Sequence, residues 1–242
     1  MPTHLVPVTI GQFTGRDLHE LFAPVLAHAA TDPEVASIHP GLTVIACEIE
    51  RGVFYAAGSD RYTLGITRRQ LPDDQPATEG DIAVPATLLR RVLAGIRRRD
   101  KVTMDMDSGG LTITLADEIG LTFRIPASPL PFLIPWRTFL GDKLRATGTP
   151  LTSPVMLNPS LLTRFNAATR GGLPLELRRV PGDDRAPVLV ICGSHFVGLI
   201  APMSSQPQSM PPGWDPDAEA SWFTACPARD VKPAPRRQRK VA

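Results

Sequence analysis

The chain has 242 residues, with 26 lysine or arginine and 24 aspartate or glutamate residues, giving a formal net charge of +2. This length is enough for one large domain or two small ones. A net charge near zero excludes an overall positive potential that would by itself indicate nucleic-acid binding. No apolar run is long enough to span a membrane. The N-terminus has no basic region followed by an apolar core, so we expect a cytoplasmic protein without a membrane partner.

The first part of the chain predicts a strand, a helix and a strand meander. Val6–Phe13 alternates as a strand does, and Thr14 with Asp17 three residues later is typical of a helix start. The helix is expected to run to about Ala30, kinked at Pro24, and a loop follows. Three strands are then expected at Leu42–Glu48, Val53–Ala57 and Tyr62–Thr67, followed by a polar connection over Gln70–Gly80.

The stretch Val84–Pro126 predicts a helix, Pro85–Arg99, followed by another meander. Its strands are expected at Lys101–Asp107, Leu111–Ala116 and Leu121–Ile125. The same pattern returns later in the chain. A helix is expected over Leu157–Thr169, with strands at Leu173–Val180, Pro187–Cys192 and His195–Ile200.

The two stretches share apolar positions as well as element order. At one fixed offset, Leu88, Leu89, Arg91 and Val92 fall on Leu161, Leu162, Arg164 and Phe165. A repeat of this kind predicts that one scaffold is used more than once. Chance resemblance between two helix–meander segments is the alternative interpretation.

Three segments of the chain resemble those of bacterial DNA polymerase III β sliding clamps. The segment 57–64, Ala-Gly-Ser-Asp-Arg-Tyr-Thr-Leu, is similar to the strand turn of the family's middle domain. The segment 133–140, Leu-Ile-Pro-Trp-Arg-Thr-Phe-Leu, is similar to the one that joins the middle and last domains. The segment 199–203, Leu-Ile-Ala-Pro-Met, is similar to the end of the last domain.

The resemblance implies an α+β, DNA-clamp-like fold of repeated units, each a helix plus an antiparallel β-meander. One full clamp domain and a partial second are expected. Residues 6–127 would form the middle-domain-like part, 128–150 a linker with a short helix at Pro135–Leu144, and 151–205 the partial second domain. Residues 206–242 are rich in proline and end in a basic run, which predicts a disordered tail.

The chain also departs from the family. A family member has three full domains, whereas this chain resembles the middle domain and the second half of the last. Thr63 stands where the family's strand turn has arginine, and Ser204 follows Met203 where arginine and an apolar residue are usual. These changes set it apart from an ordinary polymerase tether.

Six positive charges fall within twelve residues at the end of the second predicted helix. A clamp binds duplex DNA through basic residues that face the phosphates without reading sequence, so the resemblance implies that these residues contact DNA. A solvated helix end is the alternative. With the equivalent arginines of the repeated helix, the candidate DNA-binding residues are Arg90, Arg91, Arg97, Arg98, Arg99, Lys101, Arg164 and Arg170.

The family accepts short peptides from polymerases and repair proteins in a groove between the middle and last domains. Apolar walls with a few polar groups suit such a peptide, although plain inter-domain core is the alternative. The resemblance implies a groove formed by Ser59, Asp60, Arg61, Tyr62, Leu64, Ile134, Thr138, Phe139, Asn158, Leu161, Val188, Leu199, Pro202 and Met203.

No catalytic or metal-binding pattern was found in the sequence. Cys192 and His195 are too few for a zinc site, and Asp105 with Asp107 alternates along one strand. No phosphate loop or nucleophile elbow occurs. Cys47 and Cys192 lie in apolar runs typical of reduced core thiols. We therefore expect neither enzyme activity nor a cofactor.

Two functions remain open. The first is a sliding-clamp-like processivity or recruitment factor in DNA replication or repair, which would bind duplex DNA and polymerase peptides. The second is a clamp-derived protein interaction module that does not encircle DNA. Three half-domains leave one sheet edge unmatched, so a homo-oligomer is also expected.

Overall fold

The described residues form two antiparallel sheets with helices packed against them. The computed structural model describes residues 8–72, 79–117, 119–145, 149–150, 155–169, 172–180 and 186–203. The strands are Val8–Thr14 (β1), Val44–Glu50 (β2), Val53–Ser59 (β3), Thr63–Gln70 (β4), Gly80–Pro85 (β5), Lys101–Asp107 (β6), Gly110–Leu115 (β7), Thr122–Pro126 (β8), Thr149–Pro150 (β9), Glu176–Arg179 (β10), Val188–Cys192 (β11) and Phe196–Ile200 (β12). The α-helices are Gly15–Leu26 (α1), Pro33–Ile38 (α2), Ala86–Gly95 (α3), Trp136–Arg145 (α4) and Pro159–Leu162 (α5).

The elements fall into three repeats of one order: strand, helix, three-stranded meander. The first repeat spans residues 8–70, the second 80–126 and the third 149–200. Segregated helices and antiparallel sheets confirm the expected α+β class. The third repeat follows the same element order as the second, as the sequence offset predicts.

The first two repeats exchange their leading strands. β1 pairs with β6 of the second repeat, and β5 pairs with β2 of the first. The smaller sheet therefore has the order β1-β6-β7-β8. Because each repeat supplies a strand to the other's sheet, the two repeats form one interlocked domain.

The larger sheet runs through both this domain and the third repeat, in the order β5-β2-β3-β4-β12-β11-β10-β9. We call the antiparallel pairing of β4 with β12 the seam; it aligns Leu64 with Leu199 and Gly65 with Gly198. In the third repeat, β9 pairs with β10 of its own repeat, at the place that β5 takes beside β2. The outer edge of β10 is thus covered by β9 along two residue pairs.

The main core lies between the two sheets and around α1. The buried face of this helix includes Leu18, Phe22 and Val25. The ring of Phe22 meets that of Phe54 edge-to-face, with centroids 6.1 Å apart. This core is sealed by the methionines of β6, Met104 and Met106, neither of which is exposed. Burial of this kind supplies most of the free energy of folding.

The start of α1 is built as the sequence predicts, but its end is not. Thr14 and Asp17 form the reciprocal capping box, and hydrogen bonding by Thr14 lowers the pKa of the Asp17 carboxyl. The helix ends at Leu26 rather than near Ala30. Pro24 lies in its last turn and cannot donate a backbone hydrogen bond, which limits the helix soon after it.

Two elements were missed. The segment Pro33–Ile38, expected as loop, is a short helix because Asp32 caps it by accepting from the Glu34 and Val35 amides, with proline at the first position. Residues Gly80–Pro85, expected at the end of a connection, form β5. In the structure Ile82 and Val84 are buried and their chain neighbours are less buried, as in a strand with one covered face. The polar residues before this stretch led to its prediction as part of a connection.

Two predicted helices are wrong in extent. The helix expected to reach Arg99 ends at Gly95, so Arg97–Arg99 lie in the connection to β6. The helix expected over Leu157–Thr169 is one α-helical turn, α5, followed by a 3-10 helix, Thr163–Ala168. The linker helix, by contrast, is α4 as predicted. The tail over 206–242 lies outside the described residues.

Candidate functional site

The turn between β3 and β4 leads into the seam and is fixed by buried polar groups. One carboxylate oxygen of Asp60 accepts from the amides of Tyr62 and Thr63, at 3.1 and 2.8 Å, and from the Thr63 hydroxyl. The Ser59 hydroxyl donates to the Thr63 carbonyl at 2.7 Å. These bonds satisfy the buried polar groups of Ser59, Asp60 and Thr63, so the shape of the turn does not depend on a ligand.

Arg61 occupies a strained position in this turn. Its φ is +83°, in the left-handed region that non-glycine residues seldom adopt. The side chain donates to the Nε2 atom of His39 at 3.2 Å, and the next residue, Tyr62, is 53% exposed. Such conformations persist where the surroundings impose them, and they concentrate at ligand-contacting sites. The turn therefore presents one cation and one aromatic ring to solvent.

The other wall of the site is α4, which crosses the outer face of the seam. Trp136 and Leu140 are buried there against Ile66 and Leu199. Clustered apolar side chains on both strands explain why this amphipathic helix docks on the sheet. The docking holds Phe139, one residue before Leu140, at 43% exposure beside the seam.

A charge cluster fixes the orientation of α4. Arg137 forms ion pairs with Glu48, at 2.8 Å, and with Glu50. Its guanidinium also lies 4.5 Å from the ring centroids of both Tyr55 and Trp136. Burial raises the pKa of the Glu48 carboxyl, although the charge of Arg137 acts against this. The helix is thus held by a cation shared between carboxylates and aromatic rings.

Between the turn and α4 lies a cavity of about 380 Å³, which we call the seam groove. Its walls are mostly apolar, with hydroxyls and one guanidinium at the turn. The size and character suit a few side chains of an extended peptide. The lining residues are Ser59, Arg61, Tyr62, Thr63, Leu64, Ile134, Pro135, Phe139, Pro187, Leu199 and Ala201.

Seven predicted groove residues meet in this cavity: Ser59, Arg61, Tyr62, Leu64, Ile134, Phe139 and Leu199. The other seven lie elsewhere. Asp60 is committed to the turn, Asn158 caps α5, and Thr138 lines a neighbouring cavity across α4. Val188 is fully buried and Leu161 packs beside it in the core of the third repeat. Pro202 and Met203 are half-buried just beyond β12, outside the lining.

Four lining residues were missed: Thr63, Pro135, Pro187 and Ala201. Each is a direct chain neighbour of a predicted groove residue. Alternation along a strand places neighbours on opposite faces, yet Thr63 and Leu64 both reach the cavity because the turn ends there. Chain neighbours at strand ends were the signal that could have found them.

The basic residues before β6 divide into exposed and engaged groups. Arg91, Arg97, Arg98, Arg99 and Lys101 are exposed and form what we call the basic cluster. Their turn is docked on the start of α1, where the Gly15 amide donates to the Asp100 carbonyl at 2.7 Å and the Arg16 amide to the Arg98 carbonyl at 3.0 Å. These bonds fix the backbone of the turn that carries Arg97, Arg98 and Arg99.

The remaining predicted DNA-binding arginines differ from this cluster. Arg90 is half-buried and donates to the Leu26 carbonyl at 2.6 Å, and burial lowers the pKa of its guanidinium. Arg164 forms an ion pair with Asp60 and donates to the Thr63 hydroxyl at 3.2 Å. Arg164 therefore joins the third repeat to the turn, and its guanidinium is not presented to a phosphate. Arg170 lies outside the described residues.

The inner face of the seam contains a buried histidine. His28 is fully buried, and neither ring nitrogen has a hydrogen-bond partner among the described residues. Its ring lies 4.5 Å from that of Phe165, and a Cβ on Gly65 would lie 2.1 Å from its Cδ2 atom. Burial lowers the pKa of His28 to about 3, so the ring is neutral.

The described residues contain no group of three or more histidine, cysteine or acidic side chains placed to hold a metal ion. Within the same ranges, no helix is long and apolar enough to span a bilayer. Cys47 and Cys192 are buried, as expected, and burial raises the pKa of Cys47. The seam groove and the basic cluster are thus the features to explain.

Comparison with solved structures identifies the fold. The match to the DNA polymerase sliding clamp of Bacillus subtilis covers 85% of this chain and 67% of the clamp chain, with a TM-score of 0.58 and 14% identity. The DNA polymerase III β subunit of Thermotoga maritima matches 85% and 68%, with a TM-score of 0.56 and 12% identity. That of Streptococcus pyogenes matches 81% and 66%, with a TM-score of 0.56 and 15% identity.

No protein-family model and no curated protein sequence matched the chain. The likeness is therefore one of three-dimensional structure at low identity. It confirms that the chain has the sliding-clamp fold, the fold class that the sequence resemblance implied.

Proposed function

We propose that this protein is a non-catalytic, sliding-clamp-like recruitment or processivity factor of DNA replication or repair. In this function the seam groove binds a short linear peptide of a DNA polymerase or repair protein, and the basic cluster contacts duplex DNA without reading its sequence. The fold shared with DNA polymerase sliding clamps supports this class of function, at an identity of 12–15%. The protein acts in the cytoplasm.

The observation that carries the proposal is the chemistry of the seam groove. Tyr62 and Phe139 are large exposed side chains on opposite walls, and Leu64 and Leu199 lie between them. An extended peptide with aliphatic or aromatic anchors would bury these groups, which gives affinity. Arg61 at the turn favours an acidic or carbonyl-rich segment of the same peptide.

The peptide is tested by fluorescence anisotropy. The probe is a fluorescein-labelled clamp-binding peptide from a bacterial replicative DNA polymerase, titrated with the full chain. We expect Phe139→Ala and Tyr62→Ala each to raise Kd by about tenfold or more, since exposed aromatic anchors are common hot spots. Ile119→Ala removes an 85% exposed side chain away from the groove and should leave Kd unchanged. Equal binding by all variants would refute the groove.

Duplex DNA binding is tested separately by its salt dependence. Five phosphate contacts predict a log–log slope near −4.5, so affinity should fall steeply between low and physiological salt. Changing Arg97, Arg98 and Arg99 together to Glu should abolish retention. The single substitution Arg98→Glu should weaken DNA binding. Arg51→Glu, which makes the same charge change in the β2–β3 turn, is its control and should not. A salt-independent interaction would contradict the assignment.

The alternative function is an interaction module that does not encircle DNA. Such a module would bind a peptide in the seam groove but would not bind duplex DNA. Circular and linear duplexes of one sequence discriminate the two. Salt-sensitive retention on the circle, with none on the linear duplex, supports encirclement, which requires a closed assembly. Peptide binding with no retention on either duplex would establish the alternative instead.

A further inference from the structure

Two cavities border α4 on the outer face of the seam. The seam groove is lined by the paired residues Leu64 and Leu199. The second cavity, which we call the outer pocket, is lined by the pair Ile66 and Val197, two residues further along the same strands, and has a volume of about 380 Å³. Among the described residues, none lines both cavities. The outer pocket is therefore a separate site.

The outer pocket has an apolar floor that α4 covers only in part. Ile66 of β4, Val197 of β12 and Ile191 of β11 lie side by side in the ladder. Ile66 is buried in one apolar cluster with Leu140 of α4, whereas Val197 and Ile191 are only half-buried. Gly141 also lines the pocket and contributes no side chain to fill it. A ligand that buried this floor would gain hydrophobic free energy.

The rim of the outer pocket carries an unpaired cation. Arg68 is exposed, and its Nε atom donates to the Ser194 carbonyl at 2.7 Å. Its backbone amide donates to the His195 carbonyl at 3.0 Å, which fixes the strand beside the β11–β12 turn. Within the described residues, Arg68 forms no ion pair and no acidic side chain lines the pocket. Its terminal guanidinium nitrogens therefore remain available to an anionic ligand.

The other arginine of the pocket is already neutralised. Arg137 forms ion pairs with two glutamates of β2, and its guanidinium lies over the rings of Tyr55 and Trp136. These two rings, with centroids 5.5 Å apart, form an aromatic wall of the pocket. Tyr55 is the cross-strand partner of Arg68, so the wall and the unpaired cation are adjacent. The pocket thus combines apolar and aromatic surface with one positive charge at its rim.

We propose that the outer pocket is a second peptide site, which binds an acidic segment of a partner protein through one large apolar side chain. This side chain, of the size of phenylalanine or leucine, packs on Ile191 and Val197 beside the Tyr55 ring. Carboxylates next to it in the segment pair with Arg68, which gives charge complementarity. Because Arg68 and Ser194 at the rim are exposed, the pocket is open on one side. An open side lets a peptide chain continue, whereas small-molecule sites enclose most of their ligand.

This site goes beyond the proposed function and does not rest on it. Since the two cavities have no lining residue in common, both can be occupied in one molecule. The protein then joins two partner segments through α4 and the seam, and the acidic segment belongs to a different partner from the one in the seam groove.

Fluorescence anisotropy of the full chain with a synthetic probe tests the chemistry of the outer pocket. The probe is fluorescein-labelled Gly-Ser-Asp-Glu-Phe-Asp-Glu-Ser-Gly. Replacing its phenylalanine by alanine should raise Kd about tenfold or more, because the anchor is lost. Arg68→Glu should raise Kd by a similar factor. Arg98→Glu makes the same charge change in the basic cluster and should leave Kd unchanged.

A second variant fills the pocket without changing its charge. Gly141→Phe places a ring beside Leu140 and should abolish binding of the probe. Circular dichroism confirms that each variant is folded. The polymerase peptide should bind this variant and the natural protein equally, because Gly141 is not part of the seam groove.

Methyl NMR with isotope-labelled isoleucine identifies the site that the probe occupies. The probe should shift the Ile191 methyl signal and leave that of Ile134, in the seam groove, unchanged. The polymerase peptide should do the reverse, so failure of one site is distinguishable from failure of the other. No binding of the probe at about 0.5 mM, an unmoved Ile191 signal, equal binding of the alanine peptide, or equal weakening by Arg68→Glu and Arg98→Glu would overturn the proposal.

Discussion

Asp60 is the residue on which the turn at the seam groove depends. The sequence resemblance placed it in the peptide site and placed Arg164 on DNA, yet the two form one ion pair. Asp60 is 7% exposed and accepts from two amides and one hydroxyl besides. The residue predicted to bind peptide and the residue predicted to bind DNA therefore form a structural ion pair between repeats.

We predict that Asp60→Ala lowers the free energy of unfolding by about 3 kcal/mol, because it leaves three donors of the turn, two of them in buried bonds, and the Arg164 guanidinium without their acceptor. Urea denaturation followed by circular dichroism measures this. Asp117→Ala is the matched control: Asp117 accepts from the Ile119 and Gly120 amides in an exposed turn, so its loss should cost less than about 1 kcal/mol. Equal losses would show that burial of the turn is unimportant.

His28 makes the seam sensitive to acid. The pKa of His28 is lowered to about 3 by burial, against an ordinary value near 6.5 in the unfolded chain. The unfolded state therefore binds a proton below pH 6.5 that the folded state does not, and stability is lost as pH falls. The free energy of unfolding should fall by about 2 kcal/mol from this group between pH 7.5 and 5.0.

The prediction is tested with His28→Leu, which fills the site with an apolar side chain that cannot ionise. The loss of stability between pH 7.5 and 5.0 should be smaller in this variant than in the natural protein by about that amount. Phe165→Leu serves as control, because it loosens the same packing without removing the ionisable ring and should lower stability equally at both pH values. Identical pH profiles for all three proteins would contradict the assignment.

At the scale of elements, the seam requires two opposed glycines. A Cβ on Gly198 would lie 2.5 Å from the Leu64 carbonyl oxygen and 2.7 Å from Phe165. We predict that Gly198→Ala destabilises the protein by about 2–3 kcal/mol, since backbone must move to admit the methyl group. Gly95→Ala is the control: nothing lies within 4 Å of that position at the end of α3, so it should be neutral or slightly stabilising. Thermal unfolding compares the two.

Element prediction from the sequence failed where local signals have two readings. Asp32 followed by proline marks a loop or caps a helix, and only the structure shows the second. Gly95 ends α3 early although the arginines beyond it are good helix formers, because the chain turns there to pack its carbonyls on the start of α1. The strands β2 and β6 were predictable because more and less buried positions alternate along them.

At the scale of the whole molecule, the seam joins the third repeat to the rest by a ladder of five residue pairs. We predict that β4 and β11 open together. Native-state hydrogen exchange at rising urea should bring the amides of Ile66 and Val190 to one common free energy, that of global unfolding. If the Val190 amide exchanged with a lower opening free energy than the Ile66 amide, the third repeat would be only loosely attached. Asp60→Ala should produce that separation.

Half of the predicted site could be located from sequence. The segments 57–64 and 133–140 carry local patterns that survive, and the structure brings six of their predicted residues together with Leu199 in the seam groove. Val188 and Leu161 could not be assigned, since an apolar residue in a strand or helix gives no sign of which face meets the core. The pairing of Asp60 with Arg164 spans a hundred residues and has no local signal.

The exchange of leading strands has a consequence for biosynthesis. Val8 pairs with Met106, and Ile45 pairs with Val84. The strands β1 and β2 therefore cannot complete their pairing until the second repeat has been synthesised. As the N-terminus leaves the ribosome first, the first repeat emerges with its apolar face uncovered until the second has been translated. Nascent chains that end before β6 should therefore be captured by chaperones or degraded, and a rare-codon pause ahead of residue 101 would prolong that vulnerable interval.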